Sequence, residues 1–181
     1  MRTLQRWVDA SHSLAKLEPF MVVVAQGLGR LDISLMTEDR EFVANIEKNQ
    51  RSLEENVKLN VRFTTSYLWV LGAYELVRTI CQRLIDQKLD QSEQLAKDFG
   101  EIKKIFNRLR VPLAKMEPAS AHKTTDSHIA YPALHREKGI AWQVSRDIFI
   151  NRDDLADELL AKLERMKGLL NQTTASTEPN A

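Results

Sequence analysis

The stretch LEENVKLNVRFTTSYLWVLGAYELVRTICQRLIDQ, residues 53–87, decides the fold class of this chain. It contains no proline and a single glycine, Gly72, so nothing in it forces a helix to end. Its apolar side chains lie on nearly every side of a helical projection, which is typical of a helix surrounded by other helices. Ser52 and Glu55 have the spacing of a capping box, in which a hydroxyl and a carboxylate satisfy free amides at a helix start. We therefore predict a central helix over 53–87.

Helical spacing of apolar residues continues on both sides of this central helix. Before it, the pattern predicts a first amphipathic segment that ends at Pro19, a second helix over 20–36 and a third over 38–49. The β-branched run at residues 20–24 is also compatible with a strand, but it lacks alternation, and a helix is favoured. After it, apolar residues recur at helical spacing from Leu95 to Leu109, and Pro112 is expected to end that helix. A last apolar stripe runs from Leu155 to Leu170, with Asn151 as its expected N-cap.

Between the last two helices the pattern changes. Residues 112–139 contain Pro118, Pro132, Gly139 and a polar cluster, and this composition predicts a long ordered loop. Loops of this length inside compact domains are uncommon and often carry function. Apolar and small residues then alternate from Ile140, which predicts a small β-hairpin. The expected fold is mostly α: a bundle of five or six helices with a long ordered loop and a small β-hairpin before the last helix.

Composition supports one globular domain. The chain has 181 residues, 43% of them hydrophobic and 28% charged, and its formal net charge is +1. These values exclude a fibre or a chain that is disordered throughout. We assign residues 1–171 to a single helical domain and 172–181, rich in Thr, Ser, Asn and Pro, to a disordered tail. The lone cysteine, Cys81, lies in an apolar pattern and is interpreted as a small buried hydrophobe.

The same reading gives expectations about location and cofactors. No secretory signal is recognisable at the start, and no uncharged apolar run approaches the about 18 residues of a membrane span. We expect a cytoplasmic protein with no membrane association. The sequence has no phosphate-binding glycine loop, no metal-ligand spacing and no nucleophile elbow. We accordingly expect no cofactor and no metal.

One candidate site is a concentration of positive charge. Residues 103–138 hold eight Lys and Arg against three acidic residues, a net charge of +5 in a chain that is nearly neutral. Such a segment can bind a phosphate or a nucleic acid, although exposed charge on a solvated helix face gives the same pattern. The anion-binding candidates are Lys104, Arg108, Arg110, Lys115 and Lys123.

A second candidate site is formed by histidines in the expected loop. His122, His128 and His135 lie there together with Asp126 and Tyr131, and an imidazole beside a carboxylate can transfer protons near neutral pH. The spacings between these histidines fit no closed metal site. They are weak catalytic candidates, and the alternative is that they are structural or simply exposed.

The third candidate is a charged pair within the central helix. Glu75 and Arg78 are separated by three residues in an otherwise apolar run, which predicts a buried ion pair that fixes the helix register. The functional alternative places them at the floor of a pocket roofed by residues 112–139, where Arg110 and a histidine would meet a bound phosphate or base.

Two classes of function follow. The first is a non-enzymatic interaction or regulatory protein, either a homo-oligomer or the partner of another protein. The reason is that the sequence offers several long apolar stripes that can be buried in an interface but few residues arranged for catalysis. The second is a protein that binds or processes RNA or a nucleotide through residues 103–138. Whether the chain is an enzyme stays open at this stage.

Overall fold

The computed structural model describes residues 1–47, 53–87 and 92–175. Within these ranges the chain forms five α-helices and one small antiparallel sheet, which confirms the mostly α bundle with a β-hairpin before the last helix. The helices are α1 (Leu4–Ser11), α2 (Phe20–Glu47), α3 (Leu53–Gln87), α4 (Ser92–Lys115) and α5 (Arg152–Ala175). The strands are β1 (Tyr131–His135), β2 (Gly139–Ser145) and β3 (Ile148–Asn151), and short 3-10 turns cover His12–Lys16 and Ser120–His122.

The central helix α3 has the predicted bounds. Its buried side carries Trp69, whose ring centroid lies 6.2 Å from that of Phe106 on α4. The indole Nε1 of Trp69 donates to the carbonyl oxygen of Leu28 at 3.0 Å, so this side chain joins α3 to both α2 and α4. Cys81 is also buried on α3, as predicted. The capping box at Ser52 lies outside the described residues.

Helix α2 is longer than the sequence indicated. We predicted separate helices over 20–36 and 38–49, whereas one helix runs from Phe20 to Glu47. No proline interrupts this stretch, and neither Gly27 nor Gly29 breaks the helix. Gly29 is buried against the ring of Trp7, and a Cβ atom at this position would collide with that ring. Close approach of α1 to α2 therefore explains the glycine.

Helix α2 also bears on the membrane question. Among the described residues, the segment 20–45 is long and apolar enough to cross a membrane by length and composition, and 39% of its apolar window is buried in the bundle. The core helix of a globular protein passes the same test. Its buried side carries Asp32 and Asp39, whose ion pairs with other elements are those of a helix packed inside protein.

The expected loop over 112–139 is only partly a loop. Helix α4 continues through Pro112 to Lys115, because a proline this near the end removes only one of the last hydrogen bonds and its ring is buried. Met116 then adopts a φ of 56°, which ends the helix. Farther along, residues 131–135 form strand β1, a third strand beside the predicted hairpin. The prediction was wrong here because Pro132 lies on an edge strand, where a missing amide is tolerated.

The sheet has the order β1-β2-β3, with both pairs antiparallel. Trp142 pairs with Pro132 on one side and with Ile150 on the other, and Trp142 and Ile150 are buried against the helices. The neighbouring residues of each strand point to the opposite face. The sheet thus closes one side of the bundle with its inner face. Its outer face is exposed at Tyr131 and Phe149 but covered at Gly139 and Ala141.

Helix α5 follows β3 directly. Asp153 and Asp154 lie in its first turn, where negative charge favours the positive end of the helix dipole. Asn151 was predicted as the N-cap, whose side-chain oxygen would accept from an amide of the first turn. Instead, its Nδ2 donates to Asp154 at 3.2 Å, and its Oδ1 has no hydrogen-bond partner among the described residues. The helix extends to Ala175, and residues 176–181 of the predicted tail lie outside the described residues.

Candidate functional site

A buried network of charged side chains lies at the centre of the fold. Asp32 of α2 is fully buried and accepts hydrogen bonds from three side chains. The guanidinium of Arg2 reaches it at 2.8 Å, that of Arg152 at 2.6 Å, and the indole Nε1 of Trp7 at 3.1 Å. One carboxylate therefore ties the N-terminal segment at Arg2, α1 and the start of α5 to the middle of α2.

A second set of carboxylates surrounds the same two arginines. Arg2 also pairs with Asp153 and, at 2.7 Å, with Asp157 on α5. Arg152 lies 3.5 Å from the carboxylate of Asp39, two helical turns beyond Asp32 on α2. Each buried guanidinium thus faces more than one carboxylate, an arrangement that offsets the cost of removing these charges from water.

Asp39 also determines the local backbone of the sheet. Its Oδ2 accepts from the amide of Ile140 at 3.4 Å, and its side chain occupies the space where a Cβ atom of Gly139 would lie. Gly139 has a φ of +74°, a region that glycine enters without strain. The turn between β1 and β2 therefore packs directly onto α2.

The network shifts the pKa values of its members. Burial raises the pKa of Asp39, and the nearby charge of Arg152 offsets part of that rise. Burial also disfavours the charged form of Arg2, but Asp32 and the hydrogen bonds to Asp153 and Asp157 leave its pKa above the ordinary value. Because Arg2, Asp32 and Arg152 are almost entirely inaccessible, a substrate cannot reach them, and the network holds the fold together.

Glu75 and Arg78 are not the buried pair that the sequence predicted. Arg78 Nε lies 2.7 Å from Glu75 Oε2, but the two side chains are 49% and 45% exposed. The pair therefore lies on the solvent-exposed side of α3. The prediction was wrong because some apolar residues of α3 near the pair in sequence, among them Leu68, are themselves exposed. An apolar sequence around the pair therefore did not indicate burial.

The three loop histidines have different surroundings. His122 is half-buried in a 3-10 turn, and its carbonyl oxygen accepts from the amide of Asp126 at 2.9 Å. His128 and His135 are exposed, and Nδ1 of His135 accepts from the amide of Glu137 at 3.2 Å. Within residues 1–47, 53–87 and 92–175, no group of three His, Cys, Asp or Glu side chains is arranged to hold a metal ion.

The anion-binding candidates do not form one cluster. Lys104, Arg108 and Lys115 share one side of α4 by helical spacing, whereas the guanidinium of Arg110 lies 5.1 Å from the ring centroid of Tyr74 on α3. Lys123 is exposed in the following loop.

Arg108 is already engaged by a carboxylate. It binds both carboxylate oxygens of Asp126, at 2.7 and 2.8 Å, and these hydrogen bonds hold the pKa of Asp126 below its ordinary value. This pair anchors the loop to α4. The net charge of residues 103–138 does not reveal it, because a net charge does not show which charges are paired.

Two exposed surfaces were missed by the sequence analysis. The first is an apolar face along the outer edges of α2 and α3, which we call the α2–α3 face; its members are Phe20, Val23, Val24, Gly27, Val57, Val61 and Leu68. The second is the outer face of the sheet, where Tyr131 and Phe149 are exposed. A signal for the first existed in the sequence, since residues 20–29 carry no charge.

A cleft opens at one end of the α2–α3 face. It has a volume of about 450 Å³ and is lined by α2 and α3 residues that include Phe42, Val57, Val61 and Arg62. The guanidinium of Arg62 lies 3.9 Å from the ring centroid of Phe42 and donates to the carbonyl oxygen of Glu38 at 2.7 Å. The cleft shows that the edge of α3 carrying Val57 and Val61 borders α2.

Comparisons with protein-family models, with curated proteins and with solved structures found no match for this chain.

Proposed function

We propose that this protein is a non-enzymatic interaction or regulatory protein that forms a dimer through the α2–α3 face. The observation that supports the proposal is the uncharged edge of α2, on which an exposed Phe20 and an open Gly27 lie two helical turns apart. The buried charges of this chain serve the fold, so the accessible surface is where function is to be sought.

The α2 edge has the composition of an interface. Phe20 is 69% exposed and Val23 is 61% exposed, and with Gly27 they follow the spacing of one helix side. No charged residue occurs between Pro19 and Arg30. Exposed apolar residues that are contiguous on one side of a helix mark an interaction surface, whereas scattered ones do not.

Helix α3 extends this surface. Val57, Val61 and Leu68 are exposed and follow each other at four and seven residues, so they share one edge of the helix. That edge borders α2, because Val57 and Val61 line the cleft between the two helices. Val57 and Val61 share the cleft with Phe42 near the end of α2, whereas Phe20 lies at its start, so the two edges extend the apolar surface along the length of the helix pair.

The α2 edge is complementary to itself. Phe20 and Gly27 are seven residues apart, which is about 10.5 Å along the helix. Nothing lies within 4 Å of a Cβ atom placed at Gly27, so the position is an open notch. A two-fold axis midway between them would set Phe20 of each copy into the Gly27 notch of the other, as a symmetric interface requires. The formal net charge of +1 gives little repulsion between copies.

Gly27→Leu tests the proposal without disturbing the monomer. The added side chain meets no neighbour within 4 Å of its Cβ atom, and leucine favours a helix over glycine by about 1 kcal/mol. We expect the dimer dissociation constant to rise at least about tenfold while thermal stability is kept, because a filled notch excludes Phe20 of the partner copy. Phe20→Ser should weaken the dimer similarly.

Gly100→Leu is the matched control. Gly100 lies on α4, and nothing lies within 4 Å of a Cβ atom placed there, so the same substitution should leave the dimer intact. Light scattering and analytical ultracentrifugation give the mass of each variant. A wild-type mass of 20.8 kDa at tens of micromolar, where interfaces of standard size are normally occupied, would refute the dimer. A monomer that co-sediments with neutral lipid vesicles would instead assign the face to a membrane surface and would equally refute it.

A further inference from the structure

The outer face of the sheet carries two aromatic side chains in one row. Tyr131 of β1 pairs with Gln143 of β2, and Gln143 pairs with Phe149 of β3. Residues directly opposite each other in antiparallel strands have their side chains on the same face. Tyr131, Gln143 and Phe149 therefore form a single row across all three strands.

This row faces solvent. The alternate residues, Trp142 and Ile150, are buried on the inner face, whereas Tyr131 is 54% exposed and Phe149 is 51% exposed. The strands lie about 4.8 Å apart, so the two rings are separated by about 10 Å and do not stack on each other. Each ring offers a free face to a ligand.

The surroundings of the rings suit flat ligands with polar edges. The next row on the same face pairs Ala133 with Ala141, and Ala141 is buried, so the open part of the face ends at this row. The Nε2 of Gln143 donates to the carbonyl oxygen of Arg146 at 2.9 Å, which fixes the amide between the two rings. Its Oε1 can accept a hydrogen bond from the edge of a bound ring.

Positive charge borders the surface at both turns. Arg136 lies between β1 and β2, Arg146 lies between β2 and β3, and both are exposed with no ion pair within the described residues. Each has an acidic neighbour in sequence, Glu137 and Asp147, so the local excess of positive charge is small. A ligand with alternating aromatic and anionic groups would use the rings for most of its affinity and the arginines for the rest.

We propose that the outer face of the sheet binds single-stranded nucleic acid by stacking bases on Tyr131 and Phe149. Stacking on aromatic side chains tolerates any sequence, because every base has a π-face. Bases in a duplex are stacked on each other and are not available, so a single strand is the matching partner. This site is separate from the α2–α3 face and does not depend on dimer formation.

The test measures fluorescence anisotropy of a labelled RNA of about 12 nucleotides and mixed sequence, at about 50 mM salt. We expect Tyr131→Ala and Phe149→Ala each to raise Kd by about 5- to 150-fold, the range seen when one stacking side chain is removed. Tyr131→Phe keeps the ring and should stay within about twofold of wild type. DNA of the same sequence shows whether the sugar matters, and binding of either strand supports the proposal.

The controls separate stacking from other modes of binding. Phe20→Ser removes an exposed aromatic side chain elsewhere, so it should leave RNA affinity unchanged even though it weakens the dimer. Because few cations border the rings, log Kd should change with log salt by a slope of only about 1 to 2. A circular dichroism spectrum of each alanine variant that matches wild type excludes unfolding as the cause.

Three results would overturn the proposal. One is an absence of binding to RNA or DNA at low salt, which would leave a protein segment as the ligand of this face. Another is equal affinity for a duplex of the same sequence. The third concerns two double variants. If Tyr131→Ala with Phe149→Ala binds RNA like wild type, while Lys104→Gln with Lys123→Gln loses affinity for RNA, binding is ionic and centred on α4.

Discussion

Replacing Asp32 by Asn tests the interpretation that the buried ion network stabilises the fold. The variant keeps the shape of the side chain but removes the charge that faces Arg2 and Arg152, at 2.8 and 2.6 Å respectively. It also replaces one oxygen by an amide nitrogen, which cannot accept from a guanidinium or from the indole of Trp7. Breaking a buried pair by removing one partner costs about 3–5 kcal/mol.

The structure favours the lower end of that range. Arg2 keeps Asp153 and Asp157, and Arg152 keeps Asp39 at 3.5 Å, so neither guanidinium loses every carboxylate. We therefore expect Asp32→Asn to lower the free energy of unfolding by about 3 kcal/mol, a large share of the about 5–15 kcal/mol of a typical domain. The corresponding fall in Tm is about 6–12 °C for a chain of this length.

Urea unfolding followed by tryptophan fluorescence measures the loss, with an unchanged m-value as the sign that only stability changed. Glu75→Ala is the matched control, because it also removes an acidic partner of an arginine, but in an exposed pair. That variant should lose no more than about 1 kcal/mol. If the free energy of unfolding of Asp32→Asn lies within about 1 kcal/mol of that of wild type, the network adds no stability beyond that of the surrounding apolar core.

Two further predictions concern the contacts that position the sheet and the loop. Gly139→Ala forces a methyl group into the carboxylate of Asp39 at a φ of +74°, so we expect the free energy of unfolding to fall by about 2 kcal/mol or more in the same assay. Gly100→Ala, where nothing lies near the added methyl group, should be neutral or stabilising. Equal stability of the two variants would contradict the packing of Gly139. Because the hydrogen bonds from Arg108 lower the pKa of Asp126 below its ordinary value of 3.8, the stabilisation is complete above that pH and is lost as the pH falls through the folded-state pKa. The stability gap between wild type and Asp126→Asn, measured by urea unfolding at a series of pH values, should therefore narrow on acidification below about 4, and a gap that is constant with pH would mean that the pair contributes no charge-dependent stability.

The regular parts of the fold were predictable because local patterns determine them. The bounds of α3 and the hairpin of β2 and β3 followed from helical spacing and from alternation. Errors arose where a local signal was overridden by packing. Pro112 does not end α4 because its ring is buried near the last turn, and Pro132 enters β1 because that strand is an edge.

The functional surfaces were harder to predict, because sequence patterns do not reveal which side of a helix stays uncovered. Glu75 was predicted to be buried, but it is exposed. The burial of Asp32 was not predicted, although Asp32 is the only acidic residue between Phe20 and Met36. A lone carboxylate in such an apolar run was the available signal for a buried ion pair. Its partners Arg2 and Arg152 lie 30 and 120 residues away, and no local pattern connects them.

The ion network also joins residues that a ribosome makes far apart in time. Arg2 and Asp153 are separated by 151 residues, so at about 5 to 20 residues per second the second emerges about 8 to 30 s after the first. During that interval Arg2 and Asp32 can already pair, but α5, which covers α1, does not yet exist. Trp7 and its apolar neighbours are then open to chaperones and proteases for seconds. A nascent chain that stalls before Arg152 lacks the guanidinium that lies between Asp32 and Asp39, so the pairing that closes the network cannot form.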